Sequence, residues 1–271
     1  MTQMTVKKTL VSLIVVNYNG FEITESCLNS IFANTADLDF ETIVVDNGST
    51  DRSSERLKRR FEDEENFFVL VRPENDFLTA AYNDGAKLSH GDILVFMNND
   101  LILGQGWLTE LIKAFEQEKT GVAGAAMFSF KESRVIDNLG CQLNFLGYGE
   151  RIATGKRMAD GPVFSEVSFV PGSLLAVSRD LFEKIGAFDE SYGGNYEDAD
   201  FCWQARSLGY KTVVARKAKV YHLGSWTVKK YLNRAEASYL CRKNHLATLF
   251  KNAGALHLIL IMPFYFSLQI F

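Results

Sequence analysis

Three clusters of oxygen-bearing side chains and one histidine are the groups in this sequence able to do chemistry. Asn98-Asn99-Asp100 follows the apolar run Ile93–Met97. A carboxylate at a strand end is a ligand for a hard cation such as Mg²⁺ or Mn²⁺, which can bridge it to diphosphate oxygens. Taken alone, the tripeptide reads better as a turn, because Asn and Asp are favoured there. Asp46 opens Asp46-Asn47-Gly48-Ser49-Thr50-Asp51 at the inner end of a second apolar run, Thr42–Val45. It is placed to accept from a nucleobase N–H or a ribose hydroxyl, whereas Asp51 or Thr50 suits the cap of the next helix. Tyr196-Glu197-Asp198-Ala199-Asp200 puts three acids at a helix start. The helix dipole favours acids there, but three in four positions exceed what capping needs. One of them is a candidate general base toward a substrate hydroxyl. His222 ends a short strand just before Gly224. That suits a site-facing loop, although a lone histidine is more often structural.

Something must carry these groups to one place. The runs Leu10–Val16, Thr42–Val45, Phe67–Val71 and Ile93–Met97 are short, apolar and rich in β-branched residues. Such runs are what a parallel sheet covered on both faces requires. Between them, helices are predicted over Glu22–Phe32, Ser53–Phe61, Leu78–Leu88 and Trp107–Glu118. Alternating strand and helix predicts an α/β fold with a doubly wound sheet. Ligands of such sheets bind beyond the carboxyl ends of the strands, and three of the four runs end there in Asn and Asp. Gly121–Phe169 reads as further strands and loops. A strand follows at Leu174–Val177, then a helix from an N-cap at Ser178 to Gly186, and another over Glu197–Leu208 closed by Gly209. Trp226–Asn252 reads as one or two basic amphipathic helices, and Leu256–Phe271 is apolar.

Composition narrows the class. The 271 residues are 47% hydrophobic and 23% charged, with 21 Phe, enough for a substantial core. No signal peptide is read at the N-terminus. The four cysteines, at 27, 141, 202 and 241, form no CxxC pair. Buried free thiols in a reduced, cytoplasmic setting are expected. The formal net charge is −4, yet Arg206 to Lys251 holds eleven Lys or Arg and one acid, Glu236. That basic segment implies either an anionic partner or a solvated basic face. No GxGxxG or GxxxxGK[ST] is present, so a dinucleotide or P-loop site lacks its phosphate cradle.

The motifs in order resemble the family 2 glycosyltransferases. They are Ile14-Val15-Val16-Asn17-Tyr18-Asn19, Val44-Val45-Asp46-Asn47-Gly48-Ser49-Thr50-Asp51, and Asn75 with Asn83-Asp84-Gly85 eight residues on. After these come Asn98-Asn99-Asp100, Pro171-Gly172-Ser173, Phe188-Asp189-Glu190, Glu197-Asp198-x-Asp200-Phe201-Cys202-Trp203, and His222. The resemblance runs from about residue 10 to 225 and is nearest to bacterial rhamnosyl- and galactofuranosyl-transferase-like members. It implies a GT-A fold, a Rossmann-like, mostly parallel sheet flanked by helices, over 1–225. Residues 226–271 would form C-terminal basic and apolar helices.

The resemblance also implies roles. Tyr18 and Asp46 would hold a uracil or thymine base, with Asn75, Asn83 and Asn99 on the donor side and Gly172 and Ser173 bordering the sugar or acceptor. Asp100 and His222, with Asn98, would hold Mn²⁺ or Mg²⁺. Asp198 would be the catalytic base, with Glu197 beside it. The implied reaction is inverting, metal-dependent transfer of a sugar from a UDP- or dTDP-sugar to a saccharide or lipid-linked acceptor in bacterial cell-surface polysaccharide synthesis. The alternatives are a nucleotide-sugar-binding protein without catalysis, and a nucleotidyltransferase, whose Gly-rich basic signature Val16–Phe21 lacks. Two positions depart from the family pattern: Asn98 replaces a carboxylate, and Phe77 stands where glycine is usual. Nucleic acid is not an expected partner. Leu256–Phe271 is short of the roughly 20 residues that span a bilayer. Next to Arg242, Lys243 and Lys251 it predicts a peripheral position on the inner face of the membrane.

Overall fold

A computed structural model describes residues 9–35, 38–224 and 234–269. The chain begins as an alternation: β1 (Val11–Asn17), α1 (Phe21–Asn34), β2 (Phe40–Asn47), α2 (Ser53–Arg60), β3 (Phe67–Arg72), α3 (Phe77–Leu88), β4 (Ile93–Asn98). Then come β5 (Leu101–Leu103), α4 (Trp107–Ile112), β6 (Thr120–Ser129), β7 (Ile136–Asn138), β8 (Cys141–Leu143), β9 (Gly149–Arg151), β10 (Phe164–Glu166) and β11 (Leu174–Ser178). The chain continues through α5 (Arg179–Ile185), α6 (Glu197–Ser207), β12 (Lys211–His222), α7 (Arg234–Asn252) and α8 (Ala255–Gln269).

The main sheet runs β10-β12-β6-β11-β4-β1-β2-β3. β3, β2, β1 and β4 pair in parallel, as the apolar runs predict. β11 then joins β4 and β6 antiparallel, and the parallel sense returns between β6 and β12. The sheet is therefore mostly parallel, with helices on both faces. Leu13, Val15 and Val44 pack with α1 and α4 on one face. Ile14, Ile43 and Val45 pack with α3 and α6 on the other. Alternate residues of one strand thus serve opposite cores, which is why these runs are apolar throughout.

Local details differ from expectation where backbone chemistry decides. The helix expected over 107–118 stops at Ile112 and tightens into a 3₁₀ turn at Lys113–Glu116. Ser178 takes the N-cap position of α5, but its hydroxyl makes no capping bond. Asp51 does accept from the first N–H of α2, at Ser53 (3.0 Å). All four cysteines are free, but Cys241 is exposed rather than buried.

The basic C-terminal helix is fastened to the sheet domain. Asn244 donates to the carbonyls of Tyr192, Gly194 and Asn195, each at 2.8 Å. Lys251 pairs with Asp189 (3.0 Å) and with buried Asp200 (2.8 Å). The expected start of this helix, Trp226 to Asn233, lies outside the described residues, as do Ile270 and Phe271. Among the described residues no helix is long and apolar enough to cross a membrane.

α3 approaches the sheet through Gly85, where a Cβ would lie 2.5 Å from Ile14 Cγ2 and 2.9 Å from Val45 Cγ2. Gly85→Ala gains about 1 kcal/mol of helix propensity. It also forces a methyl between two stiff β-branched side chains, an overpacking cost of about 1–3 kcal/mol. The expected outcome is net destabilisation, read as a lower urea midpoint at unchanged slope. A midpoint equal to or above that of the wild type would show that α3 does not need this close approach.

Candidate active site

A cavity of about 690 Å³ opens beyond the carboxyl ends of β1, β2 and β4, where a doubly wound sheet binds ligands. Its walls include Tyr18, Asn75, Gly172, Ser173, Asp198 and His222.

Asp100 and His222 lie 122 residues apart in sequence, and the backbone brings them together. β5 pairs antiparallel with the end of β12, with Leu101 opposite His222. The Leu223 N–H donates to the Asp100 carbonyl at 2.9 Å. As a result His222 Nε2 stands 3.4 Å from Asp100 Oδ2. The other ring nitrogen, Nδ1, is 2.8 Å from Asp137 Oδ2. Burial alone would lower the imidazole pKa, but hydrogen bonds and charge from Asp100 and Asp137 overcome it and raise the pKa to about 9. Asp137 is held low in turn, first by its hydrogen bond with His222.

Glu197 and Asp198 are presented by a strained turn. Asn195 and Tyr196 both adopt left-handed backbone, φ 64° and 68°, a conformation costly for residues with a Cβ. The three Asn244 bonds hold the carbonyls of this segment in place. Asp198 Oδ2 accepts from the Gly172 N–H and Oδ1 from its neighbour Ala199 N–H, each at 2.7 Å. A Cβ at Gly172 would meet Glu197 Oε1 at 2.7 Å, so a larger residue there would displace the Glu197 carboxyl. Glu197 is buried, and its Oε2 has no hydrogen-bond partner. Burial first, and then the charge of Asp198, push its pKa up to about 8. Burial raises Asp198 as well, against the two amide N–H groups that favour its charged form. Burial thus weighs against charge on Glu197, while the two amide N–H groups favour the charged form of Asp198.

The other expected site residues divide. Tyr18, Asn75, Asn99, Gly172 and Ser173 line the cavity. Asp46 does not: it has no exposed surface, and its carboxylate accepts from Asn17 Nδ2 (2.7 Å) and the Ser49 N–H (2.9 Å). In this arrangement Asp46 braces the β1 and β2 ends. Its neighbour Asn47 is the residue of that motif that reaches the cavity. Asn83 braces as well: its amide bonds both backbone groups of Phe188 and the Glu190 carboxylate. Asn98 lines the cavity, but its amide oxygen accepts from the buried Tyr82 hydroxyl at 3.1 Å. That bond competes with any ligation by the amide. Tyr82, Asp137 and Arg151 were missed in the sequence. Arg151 is the one Lys or Arg among the described residues lining the cavity.

Among the described residues no three His, Cys, Asp or Glu side chains form a metal cluster. The Asp100–His222 pair nonetheless fits a divalent cation of the open kind, whose remaining ligands come from substrate phosphates and water. Imidazole with carboxylate suits Mn²⁺ better than Mg²⁺.

The profile of Glycosyl transferase family 2 matches residues 12–186. The chain belongs to this family. It is similar to the dTDP-rhamnosyl transferase RfbF of Shigella flexneri, 23% identical over 253 residues, 87% of this chain and 81% of that protein. It also resembles the O-antigen biosynthesis protein RfbC of Myxococcus xanthus, 24% identical over 223 residues, 78% of this chain but 17% of RfbC. The matches span 17 to 33% of the length of the first four curated relatives. Among solved structures, GalNAc-T7 with UDP, GalNAc and Mn²⁺ superposes with a TM-score of 0.70 at 15% identity, covering 90% of this chain and 48% of that one. The fold is that of the GT-A glycosyltransferases.

The Glu197 proton has a measurable consequence. The unfolded chain ionises this group near 4.5, whereas the folded one keeps it protonated up to about 8. Between those values the folded state binds more protons, so stability falls as pH rises. Glu197→Gln mimics the protonated form and is expected to flatten that fall by up to one proton. Urea midpoints at several pH values between 5 and 8.5 check it, and parallel profiles for the two proteins would reject the assignment.

Proposed function

We propose that this chain transfers a sugar, with inversion, from a UDP- or dTDP-sugar to a hydroxyl of a saccharide or lipid-linked acceptor in bacterial cell-surface polysaccharide synthesis. The observation that carries this reading is the Glu197–Asp198 pair. The two acids are neighbours at the cavity: burial pushes the Glu197 pKa up to about 8, and two amide N–H groups donate to Asp198 and favour its charged form. A carboxylate fixed this way is a general base of defined direction. Asp198 accepts the proton of the acceptor hydroxyl as that oxygen attacks the anomeric carbon. Because a carboxylate is a weak base, the proton moves late, once the attacking oxygen has become acidic. Asp100 and His222 would hold Mn²⁺ or Mg²⁺, which when bound offsets charge developing on the leaving diphosphate. Tyr18, Asn75 and Asn99 line the donor side, and Gly172 and Ser173 the acceptor side. The likeness to RfbF, a dTDP-rhamnosyl transferase, supports the dTDP donor.

A cytoplasmic, peripheral position on the inner membrane face completes the proposal. Leu256, Ile259, Leu260 and Phe264 of α8 are between 50% and 71% exposed, beside the basic helix α7. An apolar helix face next to basic residues suits an anionic bilayer surface. Flotation with vesicles containing anionic lipid is expected to carry the protein. Replacing Leu256, Ile259 and Phe264 with Gln should leave it in the pellet. Equal behaviour of the two proteins would remove this part of the proposal.

The catalytic reading is tested with a panel of UDP- and dTDP-sugars and Mn²⁺, scored by release of nucleoside diphosphate. Release from at least one donor is expected. Asp198→Asn should lower turnover by about a hundredfold or more while donor binding persists. Binding without turnover in the wild type would favour a nucleotide-sugar-binding protein instead. Turnover retained in Asp198→Asn would sink the base assignment alone.

A further inference from the structure

We propose that Asp137 is a positioning residue, which fixes the tautomer and ring orientation of His222 so that Nε2 faces Asp100 and the divalent cation between them. The inference rests on the reading of Asp100 and His222 as the cation site.

Four observations support it. First, the contact is short and directional, 2.8 Å from His222 Nδ1 to Asp137 Oδ2. A carboxylate there makes Nδ1 the protonated nitrogen and leaves the Nε2 lone pair for a metal. Second, Asp137 occupies an irregular backbone position. In the β6–β7 ladder Met127 pairs with Asn138 and Phe128 with Ile136, so Asp137 is the extra residue of a bulge. Bulges re-aim side chains beside active sites. β6 also carries β12 on its other edge, with Ser129 opposite His222, so the bulge sits one strand away from the histidine. Third, Asp137 is itself anchored. Its carbonyl accepts from Thr154 Oγ1 at 2.8 Å, and its second carboxylate oxygen lies 3.5 Å from Arg151 Nη1. Fourth, Asp137 contacts the ring nitrogen opposite the one facing Asp100. It therefore cannot share a cation with Asp100 through Nε2, and acts through the ring.

Such outer partners of a ligating histidine are typically worth about 10- to 100-fold in metal affinity. The test is binding of Mn²⁺ to the full chain, followed by the electron paramagnetic resonance signal of free Mn²⁺, with and without UDP. Asp137→Ala is expected to weaken Mn²⁺ binding about tenfold or more. Asp137→Asn, which keeps an accepting oxygen without the charge, should fall between it and the wild type. It also preserves the test if the alanine variant does not fold. In donor turnover, the Mn²⁺ concentration for half-activation should rise while the rate at saturating Mn²⁺ changes little. A merely structural role would instead lower the melting temperature and leave the Mn²⁺ dependence alone. If Asp137→Ala and Asp137→Asn bind Mn²⁺ like the wild type while His222→Ala does not, the role of Asp137 is overturned and the cation site stands. If the wild type binds no Mn²⁺ with or without UDP, the cation site falls, and the inference with it.

Discussion

Acids gather in and around the cavity where a negatively charged ligand is to bind, and most of the local architecture manages their repulsion. Each acid is handled differently. Burial works against the charge of Glu197. Asp198 keeps its charge because the Gly172 and Ala199 amides point at its oxygens. Asp100 and Asp137 share the His222 ring between them. Asp46 is withdrawn under Asn17, Ser49 and Ser53. Similar residue types thus perform different tasks because their hydrogen-bond partners differ, not because their intrinsic acidity does.

Those partners are supplied mainly by backbone, which is why the site needs this sheet. The β5–β12 ladder aligns Asp100 with His222, and the β6–β7 bulge adds Asp137. The left-handed pair Asn195–Tyr196 turns the chain into α6 with Glu197 and Asp198 leading, and α7 clamps that turn from outside through Asn244. The strain stored in the turn is therefore sustained by a helix almost fifty residues further on. The C-terminal segment is consequently part of the frame that holds the acids, whatever else its apolar end does.

The parallel half of the fold was legible because fully apolar strands of β-branched residues have few other uses. Helix ends were legible where glycine closes them, as at Gly186 and Gly209, both with positive φ. The antiparallel insertion of β11 and the length of β12 were not, since a short apolar run does not declare its direction or its neighbours. Of the candidate site, motif order singled out Asp198, Asp100 and His222, and the fold brings the last two within 3.4 Å of each other. Asp137 was not legible, for it lies in the segment 121–169, where short strands and turns give no periodic signal. Asp46 and Asn83, expected on the donor side from motif order, tie elements together: Asp46 joins the ends of β1 and β2, and Asn83 joins α3 to the segment at Phe188.

Phe77 shows what a single departure from pattern means physically. Its φ of 68° is glycine-like, its ring is 52% exposed at the cavity, and it lies against Gly193, where no side chain intervenes. Asn47 and Asn75 hold its backbone on both sides, through its carbonyl and its N–H. The conformation is thus imposed by the frame and would persist whatever residue stood there. Position 77 is in effect an interchangeable fitting on a fixed mount: the volume offered to a ligand can change there while the acids opposite remain where they are.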